Sequence, residues 1–376
     1  MNGNINAKNE IINTIKLLIY KENPSLLENV DFEDDNVFLE PLLYSYFNSK
    51  MEYLFSSDIL EQIMQGYFIE KKETKINLCY NRNGIAYVPN LGYFKKGDIT
   101  LYEHILKIGE FEIIKELHPT QERFFKETYR GEVLNSRPIH NSVWKDNYME
   151  LFKAIEIIKQ YLPEFYDELL FANKGIYLHD NSKILNFTSV KTLGMLFFYV
   201  LGKNNLIYYI EELIHQGSHN FFYFVIHHRK DYFRIDVDNL IMRNYTKQEW
   251  DYRSIYGAFH GLYTVTKRVE YFDILLSNNA FSGREKHELL GRLADQFSRF
   301  RTGLELLNFD EVFTEKGKEL YFKYDSKCLN ILKKYQALLS FFDLTNRDLD
   351  FRYNDFCKLN PIDSFYKKEV EGFFNF

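Results

Sequence analysis

Two histidines four residues apart are the first feature of this sequence that points to chemistry. His215 and His219 lie in the segment EELIHQGSH, inside an apolar pattern that predicts a helix over about 206–228. On a helix, side chains four residues apart lie on the same face, with Cβ atoms about 5–6 Å apart. Both imidazoles then reach one divalent metal ion, although the same spacing also occurs in pairs of partly buried, hydrogen-bonded histidines.

The residue after the first histidine limits the metal chemistry that this motif predicts. Zinc proteases with the pattern His-Glu-x-x-His use the glutamate as a general base toward a metal-bound water. Here that position is Gln216, and an amide cannot accept this proton at neutral pH. We therefore predict no working metalloprotease, and we assign Gln216 to the catalytic site as a residue beside the metal.

A second predicted helix, over about 250–276, brings a third histidine. Arg253, Tyr256 and His260 recur in it at helical spacing and share one stripe. We predict that His260 is a metal ligand and that Tyr256 is a catalytic residue. We also predict that the planar guanidinium of Arg253 binds the carboxylate of a bound molecule. The ordinary alternatives are a hydrogen-bonded core histidine for His260 and a salt bridge for Arg253.

Both predicted helices contain glycines near these residues. Gly217 lies in the first helix, and Gly257 and Gly261 lie in the second. A glycine inside a helix costs about 1 kcal/mol relative to alanine, which indicates that something approaches the backbone closely. We predict that the two histidine helices pack tightly at these glycines.

The rest of the pattern predicts the elements that must position these helices. We expect short amphipathic helices over 8–70, one or two strands over about 75–110, a helix over about 148–170 that Pro163 bends or splits, and two or three strands before the motif helix. A further helix is predicted over about 284–307. The expected fold is mainly α with a small β component (α+β), and the metal-binding histidines lie on two packed helices.

Three regions are predicted along the chain. The first, 1–140, is a helical or mixed region of unknown role. The second, 141–330, is the metal-binding catalytic core. The third, 331–376, is an aromatic-rich C-terminal segment that packs on the core.

Composition and charge argue against several classes of partner. The net charge of −6 comes from interspersed residues without a basic block, so nucleic acid is not an expected partner. The longest apolar stretch, residues 193–201, is about half of what a membrane span requires, and the first residues lack the pattern of a secretory signal. Three cysteines without CxxC spacing fit a reducing compartment. We expect a cytoplasmic protein that does not bind membranes.

Taken in order, the segments over about 165–325 resemble a known family. They comprise Ser189 and Gly194 before the motif helix, Glu211 to His219, Arg253 to Gly257, His260-Gly-Leu-Tyr263, and Phe313-Thr-Glu-Lys-Gly-Lys-Glu-Leu320. The pattern is similar to that of the HExxH-type peptide modification proteins of ribosomal peptide gene clusters, which are 2-oxoglutarate-dependent peptide β-hydroxylases. This sequence carries the variant His-Gln-x-x-His.

The resemblance implies an oxygenase. By it, His215, His219 and His260 bind Fe(II), 2-oxoglutarate chelates the metal, and O2 completes an oxidant that hydroxylates a side-chain carbon of a precursor peptide. We expect Arg253 to bind the distal carboxylate of 2-oxoglutarate. Three neutral imidazoles leave up to three positions open on an octahedral iron, enough for a bidentate oxoacid and dioxygen. The family has glutamate where this sequence has Gln216. If the residue at this position only orients a ligand or bound water, glutamine can still make that hydrogen bond. If it is a catalytic base, the activity is changed or lost.

Other interpretations stay open on the sequence alone. Glu212-Leu-Ile-His215 is an ExxH unit of the kind found in di-iron carboxylate proteins, with Glu270 and Asp295 as the available further carboxylates. A zinc hydrolase is another metalloenzyme with such histidines. A different class is a non-catalytic peptide-binding protein in which the histidines are structural. Metal stoichiometry and co-substrate turnover distinguish these classes.

Overall fold

Helices make up most of this protein. The computed structural model describes residues 2–49, 54–70, 78–98, 100–126, 128–129, 132–133, 139, 141–200, 202–301, 303–347, 350–374 and 376. Helices account for 59% and strands for 11% of the structure, so the predicted class, mainly α with a small β component, is confirmed. None of the described helices is long and apolar enough to cross a membrane.

The first part of the chain contains helices of varied length and all of the described strands. In order, its elements are α1 (Asn2–Glu22), α2 (Asp35–Phe38), α3 (Pro41–Phe47), α4 (Ser57–Gln65), β1 (Ile85–Val88), β2 (Gly92–Lys95), β3 (Leu101–His104), β4 (Leu106–Ile108), β5 (Phe111–Ile114), α5 (Pro119–Lys126), β6 (Thr128–Tyr129), β7 (Glu132–Val133), α6 (Asn141–Tyr161), α7 (Pro163–Ala172), β8 (Gly175–His179) and β9 (Met195–Tyr199). The predicted helix over 148–170 is split, because Pro163 starts a new helix.

The strands form small sheets with different connections. Strands β1, β2 and β3 form an antiparallel meander. A four-stranded sheet has the order β4-β5-β8-β9, in which β4 and β5 are antiparallel while β5, β8 and β9 are parallel, with Ile176 paired to both Ile113 and Leu196. Strands β6 and β7 pair only with each other. The residues of β8 are buried, as expected for a central parallel strand.

The second part of the chain is helical. In order, its elements are α8 (Leu206–Val225), α9 (Arg243–Thr246), α10 (Ile255–Ser277), α11 (Gly283–Arg299), α12 (Phe309–Val312), α13 (Glu315–Lys334), α14 (Leu338–Phe341), α15 (Tyr353–Leu359) and α16 (Ile362–Val370). Helix α11 is shorter than the predicted span, because it ends at Arg299 and the chain turns extended at Phe300.

Two compact units are present. One comprises Met1–Phe152, Asp167–Asn204 and Tyr223–Val225, and the other comprises Lys153–Tyr166, Asn205–Phe222 and Ile226–Phe376. The first unit contains the described strands, and the second contains all three candidate histidines. The region boundaries predicted at 140 and 330 stay a prediction.

Capping side chains fix the starts of the two histidine helices. The side chain of Asn205 accepts a hydrogen bond from the Tyr208 amide at 3.0 Å, and α8 follows. The hydroxyl of Ser254 accepts one from the Gly257 amide, also at 3.0 Å, and α10 follows. Such caps satisfy amides that have no partner inside the helix. The predicted helix start near 250 is therefore wrong, and α10 begins at Ile255.

Aromatic rings hold α8, α10 and α13 together in the second unit. The ring of Phe222 stacks on that of Tyr263 at a centroid distance of 4.2 Å, and Tyr263 meets Tyr324 edge-on at 5.0 Å. All three side chains are buried. A rigid aromatic layer of this kind fixes the helices that carry the candidate site.

Candidate metal centre

Helix α8 places His215 and His219 on one face, as predicted. Their ring centroids are 4.9 Å apart. Both residues are half-buried, whereas Leu213 and Ile214 beside them are fully buried. The apolar face thus anchors the helix while the imidazoles keep an edge that a ligand can reach.

Helix α10 brings His260 directly against His219. Nδ1 of His219 lies 2.8 Å from Nε2 of His260, and the ring centroids are 4.0 Å apart. Nε2 of His260 also lies 3.3 Å from the carbonyl oxygen of His219. The structure therefore brings together the three histidines that the sequence singled out, although 41 residues separate the second from the third.

Packing keeps these imidazoles neutral. Burial lowers the pKa of His260 to about 3. Burial also lowers the pKa of His219 well below its usual range, assisted by the neighbouring His260, and that of His215, assisted by Arg268. A neutral imidazole is the form that binds a metal ion, so no proton has to be displaced at neutral pH.

One pair of imidazole nitrogens in the cluster is separated by a distance that fits two ligands of the same metal ion. Nitrogen ligands lie about 2.1 Å from a divalent ion, so two of them at right angles are about 3 Å apart, close to the separation of His219 and His260. Among the described residues, however, no group of three or more His, Cys, Asp or Glu side chains stands in an arrangement that could hold a metal ion. The donor types and the His219–His260 pair fit a metal, and His215 lies beside them outside a formed ligand set.

Gln216 connects His215 to a buried carboxyl group. Its Nε2 donates to Oε2 of Glu212 at 3.3 Å and lies 3.4 Å from Nδ1 of His215. Burial, followed by the charge of Glu211, raises the pKa of Glu212 to about 7. Gln216 therefore lies between His215 and the Glu212 carboxyl group, where a supporting residue would lie, and its role in the site stays a prediction.

Tyr256 lies beside the cluster, whereas Arg253 is held elsewhere. The ring centroid of Tyr256 is 5.2 Å from that of His260. Arg253 precedes α10, so the predicted stripe with His260 does not form. Its Nε and Nη2 donate to the two carboxylate oxygens of the buried Asp251 at 2.7 and 2.8 Å. The salt bridge considered as the alternative for Arg253 is thus the one observed.

Buried charges on α8, α10 and α11 form a network that the sequence analysis missed. Nη1 of Arg268 donates to Oε1 of Glu211 at 3.2 Å, and Arg292 donates to the other oxygen of Glu211 and to Glu288. Burial alone would raise the pKa of Glu211, but Arg292 and Arg268 lower it to about 2. The sequence signal was weak, because charges at helical spacing usually mark a solvated face.

Helices α8 and α10 run antiparallel along these contacts. Glu211 is eight residues before His219, and Arg268 is eight residues after His260. The Glu211–Arg268 contact and the His219–His260 contact are therefore about two turns apart on both helices. Helical side chains lean toward the N-terminus of their helix, so Arg268 leans toward His260 while His219 leans toward Glu211.

The two glycines of α10 do not pack as predicted. A Cβ atom added to Gly261 would meet nothing within 4 Å, and one added to Gly257 would meet Ser254 Oγ at 3.4 Å, inside its own capping turn. The prediction of close helix packing at Gly261 is wrong. Gly261 follows His260 directly and leaves open space beside it.

Comparison with known proteins gives no family. No protein-family model matches the chain. No curated protein matches it either.

Proposed function

We propose that this protein is an Fe(II)- and 2-oxoglutarate-dependent oxygenase that hydroxylates a side-chain carbon of a ribosomally made peptide. The observation that carries the proposal is the 2.8 Å contact between His219 and His260, with His215 one turn away. All three rings are neutral and half-buried. The resemblance of the motif segments supplies the class of reaction and the peptide.

His215, His219 and His260 would hold the iron. Bound there, the metal supplies dioxygen activation, with 2-oxoglutarate as the reducing co-substrate. His219 and His260 already lie at the separation of neighbouring ligands. His215 has to join them, and its link to Gln216 and Glu212 is through contacts of 3.4 and 3.7 Å, which are weak enough to be exchanged for a metal bond.

Arg268 is the best-supported anchor for the far carboxylate of 2-oxoglutarate. Its side chain is 7% exposed, and its Nε is buried without a hydrogen-bond partner among the described residues. A buried guanidinium nitrogen without a partner is costly, and an anionic ligand would satisfy it. Arg268 lies on the stripe of α10 that carries His260 and Gly261, and the open space at Gly261 gives the co-substrate room.

Other residues of the site have positioning roles. Gln216 hydrogen-bonds Glu212 and lies 3.4 Å from Nδ1 of His215, so it would limit the orientations of that imidazole without preventing it from binding the metal. Tyr256 packs its ring against His260 and limits rotation of that imidazole. Neither side chain has to accept a proton for these roles, so the replacement of glutamate by glutamine at 216 is compatible with an oxygenase.

The di-iron alternative has less support. It needs further carboxylates near the ExxH unit, and the two that the sequence offered are engaged in ion pairs. Glu270 pairs with Lys327, and Asp295 pairs with Arg299 and Arg347. A zinc hydrolase has less support as well, because it needs a base where Gln216 stands.

Anaerobic titration tests the proposal. Metal-free protein is dialysed against Fe(II), with and without 2-oxoglutarate, and bound iron and bound 2-oxoglutarate are measured. We expect one iron per chain, and 2-oxoglutarate retention only when iron is present. Two irons per chain, or equal retention of 2-oxoglutarate with and without iron, would refute the proposal.

A further inference from the structure

Arg229 stands at the other side of the histidine cluster from Arg268. It lies in the short 3-10 turn Arg229–Asp231 that follows α8. The central carbon of its guanidinium is 3.7 Å from the ring centroid of Tyr256, and Tyr256 in turn packs against His260. One aromatic ring therefore separates a fixed positive charge from the candidate metal ligand.

The guanidinium of Arg229 is only partly used by the protein. Its Nε pairs with Oδ2 of Asp238 at 2.7 Å. Its Nη1 is buried and has no hydrogen-bond partner in the part of the chain that the structure describes. A guanidinium presents its N–H donors in a rigid planar arrangement that matches a carboxylate. Asp238 occupies the donor at Nε.

Exposure separates the roles of the two arginines. The side chain of Arg229 is 26% exposed, whereas that of Arg268 is 7% exposed. The buried arginine is the one proposed above to pair with the small co-substrate. A peptide chain has to approach from solvent, and the Arg229 side chain is the more exposed of the two, although its Nη1 is itself buried and is reached only once the carboxylate has displaced what covers it.

We infer that Arg229 binds a carboxylate of the peptide substrate, so that the modified residue lies next to an acidic group. The stacking on Tyr256 and the contact with Asp238 hold the guanidinium in place, and Nη1 supplies the donor for the incoming acid. That the carboxylate belongs to a peptide, and that this peptide is then oxidised, rests on the proposed function. The carboxylate preference itself does not require a metal.

Matched peptide mixtures test this inference. Three sets of fluorescently labelled peptides share random flanking positions. The first set has a central Glu and an amidated C-terminus. The second has a central Gln and an amidated C-terminus, and the third has a central Gln and a free C-terminal carboxylate. Binding is measured by anisotropy with metal-free protein and again with Fe(II). We expect one of the carboxylate sets to bind about 10-fold to 100-fold more tightly than the amidated Gln set.

Variants identify the arginine that is responsible. Arg229→Gln should lose the preference, and Arg229→Lys should keep part of it because the charge stays while the planar fork is lost. Arg243→Gln is the matched control, since Arg243 also contacts a tyrosine, Tyr252. It should bind like the parent protein.

The outcomes separate the two proposals. Preference for the Glu set assigns an acidic side chain, and preference for the free C-terminus assigns a terminal carboxylate; either supports the inference when Arg229→Gln abolishes it. Equal binding of all three sets, or a preference that survives Arg229→Gln in folded protein, overturns it. If the metal-free protein prefers the carboxylate peptides and the protein does not bind iron in the titration, the inference is upheld and the oxygenase proposal fails.

Discussion

Glu211 and Arg268 form a buried salt bridge, with Oε1 and Nη1 3.2 Å apart, two helical turns from the contact of His219 with His260. The same antiparallel pairing of α8 and α10 therefore sets both contacts. It aligns the candidate metal ligands with a buried arginine on one continuous stripe. A shift of either helix by one turn would separate both pairs together.

Replacing His215 or His219 by alanine should abolish iron binding. Each variant removes one neutral imidazole from α8, and two remaining ligands hold iron far more weakly than three. Bound iron is measured after anaerobic dialysis. His228→Ala, an exposed histidine in the turn after α8, serves as the control and should bind iron normally. Full iron occupancy in both alanine variants would remove these residues from the site.

The shared face of His215 and His219 was predictable from sequence, because helical periodicity fixes which side chains of one helix share a face. The contact of His219 with His260 joins two helices, so periodicity alone does not fix it. The position of Arg253 was predicted wrongly, since Ser254 caps α10 and leaves the preceding residues outside the helix. A serine before an apolar run is a helix-start signal that favours this start over the predicted one.

The network around Arg268 could not be predicted, because its members come from three helices and each charge alone has the pattern of a solvated residue. Burial of a charge depends on partners that are distant in sequence, such as Glu211 for Arg268 and Arg292. Sequence periodicity contains no information on that pairing. Arg229 was missed for a related reason, since it lies in a turn and its stacking on Tyr256 is a tertiary contact.

His260→Ala should weaken iron binding without unfolding the protein. The residue comes from a different helix than the other two, and its ring is half-buried, so its removal leaves the aromatic layer of Phe222 and Tyr263 in place. We expect a raised dissociation constant for Fe(II) and an unchanged circular dichroism spectrum. An unchanged iron affinity would show that His260 is not a ligand.

Zinc-loaded protein should not cleave peptides. Gln216 cannot act as a general base, and Glu212, which it contacts, lies on the preceding turn. The assay incubates the zinc-loaded protein with a mixed peptide library and follows new N-termini by mass spectrometry. Cleavage that a chelator stops and that His215→Ala eliminates would replace the oxygenase proposal with a hydrolase.

The stability of the first unit should depend on pH through Glu112. Burial, followed by the charge of Glu40, raises the pKa of Glu112 from 4.5 to about 7. The folded protein therefore keeps this proton to higher pH than the unfolded chain, so stability falls as pH rises from about 4.5 to about 7 and stays lowered above that.

Glu112→Gln tests that pH dependence. Gln keeps an oxygen for the hydrogen bond that Tyr87 donates at 2.9 Å. Thermal unfolding should give a higher Tm than the parent at pH 8 and a similar Tm near pH 4.5, the difference reflecting about 1.4 kcal/mol per unit of pKa shift. The exposed Glu110→Gln is the control. Equal Tm values for Glu112→Gln and the parent at pH 8 would contradict the raised pKa.

Arg268→Gln should raise the 2-oxoglutarate requirement while iron binding persists. The variant removes the charge beside His215 and His219 but none of the imidazoles. A hydrogen bond to a charged group contributes about 1.5–3 kcal/mol, or roughly 10-fold to 100-fold in affinity. Binding of 2-oxoglutarate to the iron-loaded protein is titrated directly, so that turnover is not needed.

Two further variants make the Arg268 result decisive. Arg268→Lys keeps the positive charge beside Glu211, so it controls for a buried carboxylate that keeps only Arg292 as its partner. It should bind 2-oxoglutarate with intermediate affinity because lysine lacks the planar guanidinium. Arg253→Gln should bind 2-oxoglutarate like the parent, since its guanidinium is already engaged by Asp251. If Arg253→Gln loses affinity and Arg268→Gln does not, the anchor is Arg253, and Asp251 has to release it when the co-substrate binds.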